Sequence, residues 1–151
     1  IAYEWTIRFR GLDRDGAHWL RTAWEEAHLE RLPPGFESGP AVTPWECALI
    51  ATHLEYLAQS DTLIRRKCGR EIEREAMRRA QHALAAGAWR THAGWQAIHE
   101  LDGWLRADGH RRNPGTTADF VAASALWCLR RGWITPPTKA ALLAHATAIS
   151  E

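Results

Sequence analysis

Residues 111–119 carry the side chains and the turn best suited to binding an anion. They read Arg-Arg-Asn-Pro-Gly-Thr-Thr-Ala-Asp, and a helix is expected to follow. Pro114 and Gly115 suit the central positions of a type II turn, because proline fixes φ and glycine accepts a positive φ. Such a turn before a helix brings together backbone N–H groups, the positive end of the helix dipole and two threonine hydroxyls. The segment predicts a phosphate site, although Thr116 with Asp119 also fits an ordinary helix cap.

Charged side chains flank this turn on both sides. Arg111 and Arg112 precede it and can add charge-assisted hydrogen bonds to a bound anion. Asp119 follows it in the first turn of the expected helix, where a carboxylate suits Mg²⁺ if the anion is a polyphosphate. The expected ligand is therefore a nucleotide phosphate with its metal ion.

A second candidate site lies in residues 60–70. Ser60 and Asp61 are both suited to starting a helix, and a cluster of cations follows within a few turns. A carboxylate, a hydroxyl and cations in this order can hold a metal-bridged phosphate from two sides. The alternative is a solvated helix surface, which the alternating charges of the following residues 71–78 also favour.

Cysteine and histidine patterns provide no metal or nucleophile motif. Cys47, Cys68 and Cys128 are widely spaced and form no metal-ligand pair, which predicts reduced thiols in a cytoplasmic protein. Basic neighbours favour a reactive Cys68 thiol, but no histidine is placed by sequence to act as its base. The eight histidines fall in no HxxxH or HExxH pattern, and we expect them to be structural or on the surface.

Length, composition and charge indicate one ordinary globular domain spanning 1–151. The 151 residues are 46% hydrophobic and 25% charged, and the formal net charge is +1. So balanced a charge excludes a global field that would hold nucleic acid or an anionic membrane, so any anion site must be local. No apolar run is long enough for a membrane span. The nine tryptophans favour either a dense core or a surface that another polypeptide covers.

Apolar residues recur at helical spacing along nearly the whole chain, which predicts an all-α fold, a bundle of about six helices. Only the first nine residues have a period of two. Gly69 is a possible bend, and residues 117–131 are so apolar that we expect them to form the central helix. Helices are expected at about 15–31, 44–58, 61–86, 93–107, 117–131 and 136–149.

Two stretches, residues 61–69 and 112–123, resemble the C-terminal half of the triphosphoribosyl-dephospho-CoA synthase family in their order and spacing. The first is similar to the family's DT-x-x-x-R-x-G segment. The second is similar to its N-P-G-[TG]-[TS]-A-D-L-[VIL]-A segment, with Phe120 in place of the usual leucine. The resemblance covers roughly residues 48–132.

This resemblance implies an all-helical transferase that uses Mg²⁺ and ATP. The family moves the triphosphoribosyl group of ATP to 3′-dephospho-CoA and releases adenine, which makes the prosthetic-group precursor of citrate lyase or malonate decarboxylase. It implies that Asp61 and Asp119 are catalytic residues and metal or ribose ligands. The phosphate- and nucleotide-binding residues that it implies are Arg65, Arg66, Gly69, Arg112, Asn113, Gly115, Thr116 and Thr117.

The family's N-terminal motifs of the PKPGLVD, GAHxDM and NTHKG types are not found in the chain. We therefore expect the C-terminal part of a larger enzyme, a possible N-terminal half or second subunit as partner, and a homo-oligomer. Two alternatives stay open at this point. One is a non-catalytic helical module that binds a nucleotide or a protein, and the other is a divergent relative in one-carbon or pterin cofactor metabolism.

Overall fold

A computed structural model describes residues 2–29 and 42–136 of the chain, with side chains in the first range from Asp15 onward. These residues form six α-helices, one 3₁₀ turn and no β-strand, which confirms the all-α prediction. The helices are α1 Ala2–Leu29, α2 Pro44–Leu57, α3 Thr62–Cys68, α4 Arg70–Ala85, α5 His92–Arg106 and α6 Gly115–Arg130, and the 3₁₀ turn is Ala88–Arg90. None of these helices combines the length and apolarity that crossing a membrane requires.

Local signals set the start of α2. The Thr43 hydroxyl accepts the backbone N–H of Glu46 at 3.2 Å, and the Glu46 carboxylate accepts the N–H of Thr43 at 2.8 Å. Both N–H groups would otherwise lack a partner at the helix end, so this reciprocal pair stabilises the first turn. The sequence Thr43-Pro44-Trp45-Glu46 predicts a capping box, and the structure has one at the start of α2.

Gly69 divides the basic stretch into two helices. Its backbone has φ 90° and ψ 171°, a conformation that residues with a Cβ rarely adopt. The residue ends α3 and precedes α4, so the expected bend is a full break. The cations of residues 65–67 therefore belong to the short helix α3 and are separated from those of α4.

The beginning of the chain differs from the sequence pattern. Tyr3, Trp5, Ile7 and Phe9 alternate as they would in a strand, but they lie in α1, which begins at Ala2. A strand needs a neighbour to pair its backbone groups, whereas a helix pairs them within the segment. Residues 35–41, whose glycines and proline predict a connector, lie outside the described residues, as does the helix predicted beyond residue 136.

Two helices share the central position: α2 packs against α1, α4, α6 and the 3₁₀ turn, and α4 packs against α2, α3, α5 and the same turn. The prediction that 117–131 forms a nearly all-apolar central helix is not confirmed. One side of α6 is open: Leu126 is 59% exposed and Trp127 is 40% exposed. Much of the apolar character of α6 comes from alanines such as Ala118 and Ala122, which are exposed to solvent. Because exposing so small a side chain costs little free energy, an alanine-rich composition does not require the helix to be buried.

All six helices and the 3₁₀ turn contribute buried residues to the core. Its largest fully buried apolar side chains are Trp89, Leu20, Leu57 and Ile64. Ile64 extends the core beneath α3, and the Tyr56 hydroxyl lies 2.9 Å from the Ser124 hydroxyl between α2 and α6. The contact between Tyr56 and Ser124 joins the middle of α6 to α2.

Candidate active site

The two segments that carry the motifs lie side by side in the fold. Contacts join them along their length, and the order of the contacts runs in opposite directions along the two segments. Three hydrogen-bonding pairs are Asp61 with Thr117, the hydroxyls of Thr62 and Thr116 at 3.2 Å, and the Cys68 thiol with the Arg111 carbonyl at 3.5 Å. Gly115 also lies close to Leu63: a methyl group added at Gly115 would place its Cβ 2.6 Å from Leu63 Cδ2. Residues 61–69 and 111–117 thus form one contiguous region, in which the predicted site residues of both segments lie together.

Asp61 is the centre of this contact. Its Oδ1 accepts the N–H groups of Leu63 and Ile64 at 2.9 and 3.0 Å and caps α3. Its Oδ2 accepts the N–H and the hydroxyl of Thr117 at 2.9 and 2.8 Å. A carboxylate has about four lone-pair positions, so these four hydrogen bonds occupy them all. The side chain is 1% exposed, and a direct catalytic or metal-binding role would require one of these bonds to break.

The loop before α6 has a different turn from the predicted one. Pro114 has φ −80° and ψ 66°, and the Gly115 N–H donates to the Asn113 carbonyl at 2.9 Å, which is an inverse γ-turn. Gly115 is the first residue of α6 and has no positive φ, so the type II turn prediction was wrong. The helix begins one residue too early for glycine to occupy that turn.

The amides at the start of α6 are largely occupied. The N–H of Gly115 bonds to Asn113, that of Thr117 bonds to Asp61, and that of Ala118 bonds to Pro114. Within the described part of the chain, only the Thr116 N–H of this turn has no acceptor. A phosphate at this helix start would therefore be held by one amide and by the neighbouring hydroxyls and cations, and not by a full ring of N–H groups.

The predicted cations fall into two groups. Arg66 is exposed on α3, while Arg65 is half-exposed with its Nε 3.8 Å from the Glu73 carboxylate. Arg112 packs on α5: its guanidinium lies 4.5 Å from the centre of the Trp104 ring, and its Nη1 donates to the Trp104 carbonyl at 3.0 Å. The Arg112 Nε is buried without a hydrogen-bond partner among the described residues. Arg66 is thus exposed to solvent and Arg65 is paired with Glu73 at the helix surface, whereas Arg112 is held against α5.

A cleft of about 310 Å³ opens beside the Asn113–Pro114 turn. We call it the Asn113 cleft, and its lining residues are His53, Asp102, Leu105, Arg106, His110, Asn113 and Pro114. The volume is at the lower end of the range for small-molecule sites, enough for part of a nucleotide. Among the predicted site residues, Asn113 is the one that lines this cleft.

His53 is the group in the cleft that sequence reasoning missed. Burial lowers the pKa of this imidazole from its ordinary 6.5, and the negative charge of Asp61 opposes the shift only in part. Within the described residues its ring has no hydrogen-bond partner. No local motif marks His53, because α2, α5 and the loop before α6 together form its surroundings.

The donor set for a metal ion is small. Asp119 is exposed at the fifth residue of α6 and makes no hydrogen bond with the described residues, while Asp61 is saturated. Nowhere in the described ranges do three or more His, Cys, Asp or Glu side chains form a group that could hold a metal. The residues do not fit a metal cage made by protein alone. They fit a Mg²⁺ whose other ligands are phosphate oxygens and water, because such sites need only one or two carboxylates.

A smaller cavity of about 120 Å³ lies between α1, α2 and the 3₁₀ turn. Burial raises the pKa of the Glu55 carboxyl on its wall, and an ion pair between Arg90 and Glu26 borders it. None of the motif residues lines this cavity. The Asn113 cleft is therefore the better candidate for the active site.

Comparison with known proteins agrees with the geometry. The sequence profile of the family described as ATP:dephospho-CoA triphosphoribosyl transferase matches residues 25–137, well over half of the 151 residues. The matched range contains both motif segments and every residue that lines the Asn113 cleft. Neither the curated proteins nor the solved structures gave a match. The chain belongs to the ATP:dephospho-CoA triphosphoribosyl transferase family.

Proposed function

We propose that this protein transfers the triphosphoribosyl group of ATP to the 2′-hydroxyl of 3′-dephospho-CoA and releases adenine. The product would be the precursor of the prosthetic group of citrate lyase or malonate decarboxylase. One observation carries the proposal: the two motif segments, distant in sequence, are joined through Asp61 and Thr117 beside the Asn113 cleft. The family match over the same residues supports it.

The chemistry explains why such a site is needed. Breaking the bond between ribose and adenine develops positive charge at the sugar carbon, so the triphosphate must be held firmly while adenine stays free to leave. On this proposal Arg65 and Arg66 pair with phosphate oxygens, and the free N–H of Thr116 adds a hydrogen bond. Asn113 contacts the nucleotide within the cleft.

The role proposed for Mg²⁺ follows from the available carboxylates. The ion would arrive bound to the triphosphate, and Asp119 would supply the protein ligand. Its chemistry is to neutralise phosphate charge. Asp61 would act as the residue that holds Thr117 and the start of α6, because its oxygens are already occupied.

Isothermal titration calorimetry with Mg·ATP tests the proposal. The parent protein should bind, and Asn113→Ala should weaken binding about tenfold, a change of roughly 1.4 kcal/mol. Gln96→Ala is the matched control, since Gln96 is an exposed amide that bonds to Glu100 outside the cleft. Absence of binding by the parent, or equal affinity in Asn113→Ala, would overturn the proposed site.

A second candidate function is a helical module that binds a protein partner without catalysis. The exposure of Trp127 and Trp133, 40% and 39%, favours it. Each indole is partly covered by a guanidinium, Arg131 at 4.9 Å from the Trp127 ring centre and Arg21 at 5.4 Å from that of Trp133. Acrylamide quenching distinguishes the two functions: indoles that become protected when a second polypeptide is added indicate an interaction surface.

A further inference from the structure

The Asn113 cleft contains one ionisable side chain that is mostly buried and has a free ring nitrogen, His53 of α2. We propose that His53 is the general base of the transfer, the group that removes the proton from the acceptor hydroxyl. This inference rests on the proposed function and assigns a residue to a step that the motif segments leave without one.

The other ionisable groups of the cleft are less suited to this step. Arg106 donates from Nε to both oxygens of Asp102 at 2.9 and 2.7 Å, so these two side chains form a mutual pair. Both are exposed to water on α5. His110 is exposed in the loop. Asp61 has no lone pair to spare.

The electrostatic surroundings keep His53 in the form that a base needs. Burial lowers its pKa below 6.5, so the ring is neutral at about pH 7, with one nitrogen able to accept a proton. The charged and titratable groups around it are Asp102 and Arg106 from α5, His110 from the loop, and Asp61 at the start of α3. The Asp61 charge stabilises the protonated ring that forms after the transfer.

The step balances in atoms and electrons. The acceptor hydroxyl oxygen forms a bond to the ribose carbon as the bond from that carbon to N9 of adenine breaks. The electron pair of the broken bond leaves with adenine, which takes a proton from water. The hydroxyl proton passes to a ring nitrogen of His53 and then to solvent, so His53 returns to its neutral form.

The test compares His53→Gln with His82→Gln, a histidine exposed on α4 outside the cleft. Removing a general base reduces kcat by about 100-fold or more, while the KM for Mg·ATP should change less than about threefold. The activity of the parent should decline as pH falls below 6.5, the ordinary pKa of histidine, because the His53 ring becomes protonated. His53→Gln should lack this decline. His82→Gln should retain both the rate and the decline.

The outcomes separate the two proposals. A parent protein that releases no adenine overturns the proposed function and this inference with it. An active parent together with a His53→Gln variant that keeps its rate overturns this inference alone. If His53→Gln does not fold, the NMR titration of the His53 ring in the parent decides: its pKa should coincide with the acid decline in kcat/KM, and a mismatch overturns the assignment.

Discussion

The carboxylate of Asp61 accepts both the backbone N–H and the hydroxyl of Thr117, at 2.9 and 2.8 Å, although 56 residues separate the two positions. The same carboxylate caps α3 through its other oxygen. A single buried side chain therefore satisfies donors at the starts of two helices. The placement of Thr116 and of the Asn113 cleft relative to α3 depends on this link.

Asp61→Asn should lower the free energy of unfolding by about 3 kcal/mol. An amide has one acceptor oxygen, so turning it toward the cap of α3 leaves an NH₂ group facing the two donors of Thr117. Urea denaturation measures the change. Asp102→Asn is the control, because that carboxylate is exposed and pairs with Arg106 one turn away, so little change in stability is expected. An Asp61→Asn variant as stable as the control would contradict the double-cap role.

Two glycines of α5 should respond to alanine in opposite directions. A Cβ on Gly94 would be 1.9 Å from the carbonyl oxygen of Ala88, and backbone cannot move away as a side chain can. We expect Gly94→Ala to destabilise the protein by about 3 kcal/mol. Gly103 has no atom within 4 Å of such a Cβ, so Gly103→Ala should stabilise the helix by about 0.5–1 kcal/mol. Thermal unfolding of both variants checks the prediction, and equal effects would contradict the packing of α5 on the 3₁₀ turn.

Stability should decrease as pH falls below the ordinary pKa of histidine because of His53. In the folded protein burial lowers the pKa of this ring from 6.5, so the unfolded chain binds a proton more readily than the folded one. The stability that the neutral His53 ring contributes is complete above pH 6.5. It is lost as pH falls through the lowered pKa of the folded state. Urea midpoints measured from about pH 7 to about pH 5 should decline less in His53→Gln than in the parent. An identical decline in both would show that the ring is not desolvated.

Thiol reactivity should single out Cys68. Burial raises the pKa of Cys47 to about 11, with the Glu46 charge adding to the effect, and burial also raises that of Cys128 to about 11. Cys68 is partly exposed. A disulfide reagent at mildly alkaline pH should therefore modify one of the three thiols quickly in the folded protein and all three after denaturation. A fast phase that persists in Cys68→Ser would contradict the burial of the other two.

Signals confined to a few residues allowed most helices to be predicted. The capping box of Thr43 and Glu46 places the start of α2 within one turn. Gly69 is likewise a local signal, since a glycine alone indicates the break between α3 and α4. The first segment is the counterexample. Its alternating apolar residues are compatible with a strand, but without a partner strand the backbone is satisfied only in a helix.

The candidate site could be located from the sequence but not completed. Residues 111–119 were predicted as the start of a helix with an anion site, and α6 begins at Gly115. Asp61 accepts a hydrogen bond from Thr117 at this helix start, although the two residues are 56 positions apart. No local sequence pattern could have predicted that contact. The same holds for His53, since its position in the cleft depends on how α2 packs near α5 and the loop.

Detection of free adenine tests the central claim most directly. The protein would be incubated with Mg·ATP and 3′-dephospho-CoA, and the products separated by chromatography and identified by mass. We predict adenine in equal amount to a dephospho-CoA derivative enlarged by the triphosphoribosyl group, with a rate reduced about tenfold or more in Asn113→Ala. Adenine no higher than in ATP alone, or ADP or AMP as the nucleotide product, would contradict the account.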